Sequence, residues 1–396
     1  MNPANEKNVS SALPDQSEAS TLHWWKRWPD WVPYATIIWT LAYGVLGLYW
    51  WAGGQGFPLG LVNDPGAAHS LFRQAAAANG GLLIACLCLL GAMAMLLLNR
   101  KARGITRAIM LLYAWSAAMV LCFAIPDPRA LIGMAYAPVS LIGAVFGQSL
   151  HYLDFFTWPV VNQYICLIGG LSWAATALTY QRHTRDACRY CGRNKCHTLR
   201  RMNAVTRLGR WATYAAILAP LYYDITRIAW LFGVPFGITD EMLYSLQASG
   251  ADWAGAGLAL VSIGGAFLTH GLIKPWGESF PRWFPILGGR RVPPALAVIP
   301  AGFVAILLTV TGIQVILEFT MSGDFQNWGG TTPLLLMPVW GIALGTATIC
   351  YYYRRQEQCR QMRMIRSSRN LGFSVGTSPT TIASRQESAN GTGRRN

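Results

Sequence analysis

Eight stretches of about twenty mostly apolar residues constrain the fold of this chain more than any other feature of its sequence. Each stretch is long enough to cross the ~30 Å hydrocarbon core of a bilayer as a helix. They lie at 31–51, 80–98, 107–126, 158–180, 211–233, 253–273, 293–317 and 333–353. The sequence therefore predicts an all-α, polytopic integral membrane helix bundle with about eight transmembrane helices.

The basic residues predict how these helices are oriented. If the eight segments cross the membrane in order, all but three of the 32 Lys and Arg residues lie on the same side as the N-terminus. The exceptions are Arg73 and Arg129, on the opposite side, and Arg227, within a segment. Because basic loops are retained in the cytoplasm, both termini are expected to be cytoplasmic.

The net charge of +15 would suggest nucleic-acid binding in a soluble protein. Here 53% of the residues are hydrophobic, and the excess charge is explained by basic loops that face anionic lipid headgroups. The expected partners are therefore the lipid bilayer and its headgroups, with no nucleic acid. A protein partner at the cytoplasmic loop or tail stays an open alternative.

A further apolar segment, 130–147, is expected to be re-entrant or interfacial instead of a ninth span. It is short and contains Pro138 near its middle. A ninth crossing would also divide the basic residues between the two sides of the membrane, against the positive-inside rule.

The chain contains the signs of an internal duplication. Residues 34–43 align with 214–223 without a gap, and the same register pairs Trp50 with Trp230. The eight helices are therefore expected to form two four-helix pseudo-repeats. The predicted regions are a disordered cytoplasmic tail (1–30), the first half (31–180), a basic, Cys-rich cytoplasmic linker (181–210), the second half (211–353), and a basic, largely disordered tail (354–396).

Two charged residues fall inside the fifth apolar segment. Asp224 and Arg227 are three residues apart and share one helical face, where they are expected to pair. Charges at membrane depth commonly mark functional sites, so a substrate or ion path is predicted at Asp224, Arg227, Tyr223 and Trp230. The alternative is a self-neutralised pair near the outer interface.

The linker between the halves contains a cysteine motif. Cys188 and Cys191 form a Cys-x2-Cys turn that suits tetrahedral zinc, with Cys196 as a third ligand and His197 or His183 as a fourth. A structural zinc site is therefore predicted, while free thiols in a basic loop and a redox role stay open as alternatives.

The segment that follows the sixth span carries two distinctive motifs, Pro-Trp-Gly-Glu at 275–278 and Gly-Gly-Arg-Arg-Val-Pro at 288–293. With the Tyr/Trp/Gly pattern that ends the fifth span and the Pro-led eighth span, these motifs resemble a broad set of uncharacterised multi-pass membrane proteins of Gram-positive bacteria. The resemblance covers most of residues 31–355. It implies a bacterial cytoplasmic membrane location and carries no activity.

These observations favour a transporter or permease-like protein for a small solute or lipid. The sequence has no P-loop, so the chain is not expected to hydrolyse nucleotide through one. No catalytic residue is predicted, because metalloprotease and serine-hydrolase motifs are missing. The alternative function is a membrane-embedded regulatory or accessory protein whose cytoplasmic loop responds to zinc or redox state.

We expect reporter fusions to place Asp240 outside the cytoplasm and Arg189, Arg290 and Arg366 inside it. The physical reason is the asymmetric distribution of Lys and Arg around the eight segments. Alkaline phosphatase and fluorescent-protein fusions measure this directly, and an external report at Arg366 would refute the eight-span topology.

Overall fold

The computed structural model describes residues 28–98, 104–145, 152–185, 199–279, 289, 292–322 and 327–372. Across these ranges the chain forms helices joined by turns and short connections. Six of the described helices are long and apolar enough to cross a membrane: Trp28–Trp51, Ala77–Leu96, Ile105–Ala124, Ala251–Gly271, Pro294–Thr320 and Trp328–Arg355. The chain is therefore a multi-pass helical membrane protein, and the count of eight spans stays a prediction.

The described residues up to 185 form five α-helices. They are α1 (Trp28–Trp51), α2 (Ala77–Leu98), α3 (Ile105–Met119, continued by a π-helical turn at Val120–Ala124), α4 (Pro128–Val145) and α5 (Trp158–Thr184).

The second half contains seven helices among the described residues. They are α6 (Leu199–Leu218), α7 (Leu221–Leu231), α8 (Asp240–Ser249), α9 (Ala251–Gly271), α10 (Pro294–Ser322), the short α11 (Trp328–Thr331) and α12 (Met337–Gly372).

Helix α5 was predicted to span but is not among the six apolar helices, because it buries polar side chains in the bundle. Asn162 accepts a hydrogen bond of 2.9 Å from the Tyr43 hydroxyl of α1. The hydroxyls of Thr176 and Thr36 lie 3.0 Å apart. In a bilayer such groups need partners within the protein, so α5 is the helix on which α1 and α3 pack.

The predicted fifth span, 211–233, is interrupted in the structure. Helix α6 ends at Leu218 and α7 begins at Leu221, with a turn at Ala219 and Pro220 between them. Proline has no backbone N–H and its ring clashes with the preceding turn, which breaks a helix. Thr40 occupies the aligned position in α1, and α1 is continuous there. The break places Asp224 in the first turn of α7.

The described helices contact one another in a similar pattern before and after residue 199. In the first half α1 contacts α2 and α5, and α3 contacts α5. In the second half α6 and α7 contact α9, α6 contacts α12, and α10 contacts α12. The aligned segments 34–40 and 214–220 also match in burial at every position, with Thr36 and Thr40 buried where Ala216 and Pro220 are buried.

The segment predicted to be re-entrant or interfacial forms α4. This helix packs against α5 of the first half and against α9 and α10 of the second half. It therefore lies between the halves, while its position relative to the membrane stays a prediction.

A buried ionic network holds the start of α4. The Arg129 guanidinium donates to both carboxylate oxygens of Asp64, at 3.0 and 2.7 Å, and to both of Asp127. The Gln163 amide of α5 also donates to Asp127, at 2.8 Å. Burial lowers the pKa of Arg129, but the hydrogen bonds and charges of Asp127 and Asp64 outweigh burial and raise it. The network ties the α1–α2 connection, α4 and α5 together.

A second polar cluster joins the end of α12 to the connector after α9. Glu278, in the Pro-Trp-Gly-Glu motif, accepts from Arg354 at 3.2 Å and lies 3.7 Å from Arg355. The Tyr351 hydroxyl donates to the carbonyl of Gly277 at 3.0 Å. The distinctive motif of this connector therefore forms a docking point for α12.

We expect Arg129→Met to destabilise the protein, because it leaves the carboxylates of Asp64 and Asp127 buried without their cation. Removing one partner of a buried ion pair costs ~3–5 kcal/mol, and we expect the lower end because part of the Arg129 side chain is exposed. Unfolding in detergent measures the change. The matched control is Arg107→Met, which removes a hydrogen bond to the uncharged Thr184 hydroxyl, and equal losses for both variants would contradict the proposed role.

Candidate functional site

Three of the four predicted path residues line one cavity in the second half. Tyr223, Arg227 and Trp230 of α7 face a partly open space of about 220 Å³. The remaining lining residues are Tyr136 of α4, Leu246 of α8, and Ala251, Asp252, Gly255 and Leu258 of α9. The cavity therefore joins helices from both halves of the chain.

The Arg227 side chain is held by aromatic rings and backbone carbonyls. Its guanidinium carbon lies 4.6 Å from the centre of the Tyr223 ring and 4.1 Å from that of Trp230, which are cation–π distances. Its terminal nitrogens donate to the carbonyls of Gly329 and Gly330 at 3.4 and 3.3 Å. These two hydrogen bonds are long, so the edge of the guanidinium is only weakly satisfied.

The expected ion pair between Asp224 and Arg227 does not form, so that expectation is wrong. Both carboxyl oxygens of Asp224 are buried without a hydrogen-bond partner among the described residues. Ser262 of α9 interacts electrostatically with this carboxyl, but its hydroxyl does not make a hydrogen bond of normal geometry. The Arg227 side chain instead lines the cavity and contacts the rings of Tyr223 and Trp230, while the Asp224 carboxyl faces α9.

The two aligned segments differ in sequence where the cavity lies. At the positions aligned with Asp224 and Arg227, α1 has Gly44 and Gly47. A side chain on Gly47 would lie 2.9 Å from the backbone of α2 at Gly81, so α1 and α2 are in close backbone contact. In the second half Arg227 occupies the equivalent space, with its Cδ 3.2 Å from where a Cβ on Gly255 would lie. The Arg227 side chain therefore lies against Gly255 of α9.

Sequence reasoning missed two residues that shape the cavity. Asp252 lies just outside the sixth apolar segment, 253–273, and was not among the predicted path residues, and Tyr136 lies in the segment expected to be re-entrant or interfacial. Asp252 stands in the first turn of α9, is buried, and has one carboxylate oxygen without a hydrogen-bond partner in the described part of the chain. The signal that could have identified Asp252 in the sequence is its position directly before an apolar segment.

The predicted zinc ligands Cys188, Cys191, Cys196 and His197 lie outside the described residues. Within the ranges that the structure describes, Cys86, Cys88, Cys122, Cys166 and Cys350 are free thiols. No group of three His, Cys, Asp or Glu residues in those ranges could hold a metal ion. The zinc site therefore stays a prediction.

Comparison with the models of known protein families finds no match to this chain. Comparisons with curated proteins and with solved structures find no match either. The class of the protein, a multi-pass helical membrane protein, therefore follows from its own helices, and its activity has to be argued from the cavity.

We expect Asp224→Asn and Arg227→Gln to act independently on stability, because the two side chains are not paired. A double-mutant cycle, measured by unfolding in detergent, should give a coupling free energy at the low end of the ~0.5–3 kcal/mol found for neighbouring residues. A buried ion pair would instead couple the two substitutions strongly, since losing one partner costs ~3–5 kcal/mol. A coupling well above 1 kcal/mol would therefore contradict the observed separation.

Proposed function

We propose that the protein is a transporter or permease-like protein that is not driven by ATP and that binds a small solute or lipid group in the cavity at Arg227. The observation that carries this proposal is the cavity itself. An arginine with a weakly satisfied edge faces it from α7, and an incompletely paired, buried Asp252 faces it from α9. Charged groups at membrane depth are costly, and they commonly line substrate or ion paths.

The broken helix supports the proposal. Secondary transporters commonly bind their substrates where membrane helices are discontinuous. The turn at Pro220 separates α6 from α7, and α7 then carries Asp224, Tyr223, Arg227 and Trp230 within its eleven residues. The positive end of the α7 dipole also lies at the turn that holds Asp224.

The pseudo-repeat is proposed as the framework of this path. The contact of Gly44 with Cys88 is matched by the interaction of Asp224 with Ser262. The contact of Gly47 with Gly81 is matched by that of Arg227 with Gly255. These equivalent contacts support a duplication in which α1 and α2 correspond to α6–α7 and α9.

In this arrangement α5 and the α6–α7 pair are added to the six apolar helices, which gives eight spans. The eight spans form two four-helix halves, with both termini in the cytoplasm. Tyr136 of α4 belongs to the first half, so the cavity lies where the two halves meet. Transporters built from repeats commonly place their substrate path at such an interface.

A regulatory or accessory role is the second candidate function. It rests on the Cys-x2-Cys motif at Cys188 and Cys191 with Cys196 and His197 nearby. A zinc- or redox-responsive linker between the halves would couple the cytoplasm to the helix bundle. Metal analysis of the purified protein tests this role, with loss of zinc expected in the Cys188→Ser/Cys191→Ser variant.

We expect Gly255→Leu to abolish transport, because its side chain would occupy the space into which Arg227 extends. Proteoliposomes are offered a defined mixture of small metabolites, and accumulation is measured by mass spectrometry. The accumulation of any solute taken up by the wild type should fall at least about tenfold, the effect of losing ~1.4 kcal/mol of binding.

The matched control for this experiment is Gly264→Leu, because Gly264 lies on the same helix and faces open space. This variant should retain wild-type uptake. The proposal fails if the wild type accumulates nothing above empty liposomes, or if Gly255→Leu accumulates as much as the wild type.

A further inference from the structure

The cavity at Arg227 carries two opposite charges that do not touch. Arg227 lines it from α7 and Asp252 from α9, and no ion pair joins them among the described residues. Asp252 is buried and one of its carboxylate oxygens has no hydrogen-bond partner in the described ranges, while Arg227 makes only long hydrogen bonds along its edge. Both groups are therefore incompletely satisfied, which is costly for a charged side chain that is removed from water. A ligand that bridges the two side chains would remove that cost.

Arg227 is prepared for an anionic group. The rings of Tyr223 and Trp230 lie at cation–π distance from its guanidinium carbon, and its N–H donors point outward along the guanidinium edge. The guanidinium edge matches carboxylate and phosphate groups through paired N–H donors, which make short, charge-assisted hydrogen bonds. These would replace or supplement the long bonds to the carbonyls of Gly329 and Gly330.

Asp252 is prepared for a cationic donor. Only 6% of the residue is exposed, and its Oδ1 has no partner in the described ranges. A buried carboxylate oxygen needs a hydrogen-bond donor, and an ammonium supplies both the donor and the opposite charge. The rest of the wall comprises the Tyr136 ring and the apolar side chains of Leu246 and Leu258.

We propose that the cavity binds a small zwitterion, with its carboxylate or phosphate on Arg227 and its ammonium on Asp252. This inference rests on the proposed function and specifies its substrate class. A volume of about 220 Å³ is several times the ~30 Å³ share of a water molecule, enough for a group of amino-acid size. The same chemistry occurs in free amino acids and in the phosphoethanolamine headgroup of a lipid.

The test measures thermal shifts of the full-length protein in nanodiscs made of phosphatidylglycerol, which contain no zwitterionic lipid. The twenty amino acids and soluble phosphoethanolamine are added singly, and the affinity of each stabilising compound is measured. Each such compound is then compared with the analogue that lacks its ammonium and the analogue that lacks its acid group. We expect at least one zwitterion to bind and both analogues to bind at least tenfold more weakly, the effect of losing a charge-assisted hydrogen bond.

Variants separate the two ends of the ligand. Asp252→Asn should bind the zwitterion at least tenfold more weakly than the wild type does. It should also reduce the difference in affinity between the zwitterion and the analogue that lacks its ammonium. The matched control is Asp240→Asn, an acid in the first turn of α8 that is exposed and does not line the cavity, and it should bind as the wild type does. Unchanged affinity in Asp252→Asn would overturn the inference.

The remaining outcomes distinguish this inference from the proposed function. Stabilisation by phosphatidylethanolamine nanodiscs but by no amino acid would support the zwitterion site and identify the lipid headgroup as its source. If single-charge analogues bind as tightly as the zwitterion, the inference fails while the transport assay with Gly255→Leu still decides the proposed function. If no zwitterion, free or lipid-borne, stabilises the protein, the inference also fails.

Discussion

Polar groups buried in a helical membrane bundle must find their partners inside the protein, and this constraint organises the structure. Among the described residues, helices α1 to α5 satisfy it. Asp64 and Asp127 share Arg129, Asp127 also meets Gln163, and the Tyr43 hydroxyl meets Asn162. In the described part of α7 and α9, by contrast, acidic side chains keep buried oxygens without a partner. These unsatisfied groups are where the proposed ligand would add hydrogen bonds.

Much of the helical architecture could be predicted from the sequence, because membrane helices must be long and apolar. The six candidate spans, which include α1, α2, α3, α9, α10 and the first part of α12, agree with the predicted segments to within about five residues at each end, while α12 itself continues to Gly372. Helix α5 illustrates the limit of hydropathy as a signal. Its polar residues are buried inside the bundle, and the sequence alone does not show that they are buried. Pro220 was visible in the sequence, but the apolar residues around it favoured a single continuous span.

The cavity was predictable in part. Arg227 could be identified because charged residues inside an apolar segment are rare, and Tyr223 and Trp230 because they lie within about one helical turn of it. The contribution of Asp252 could not, because it depends on how α9 packs beside α7, which no spacing within one helix encodes. For the same reason, the i, i+3 rule gave the wrong partner for Asp224. A separation of three residues makes an ion pair feasible, but the Arg227 guanidinium contacts the rings of Tyr223 and Trp230 instead.

The close approach of α1 to α2 has a consequence for stoichiometry. A side chain at Gly47 would meet the backbone of α2, which cannot yield as a flexible side chain can. Among the described residues, a cavity lined by Arg227 lies between α7 and α9, whereas a side chain at the aligned position of α1 would meet the backbone of α2. The proposed site would then occur once in the described part of the chain, and the saturation curve of a monomer should follow a single hyperbola.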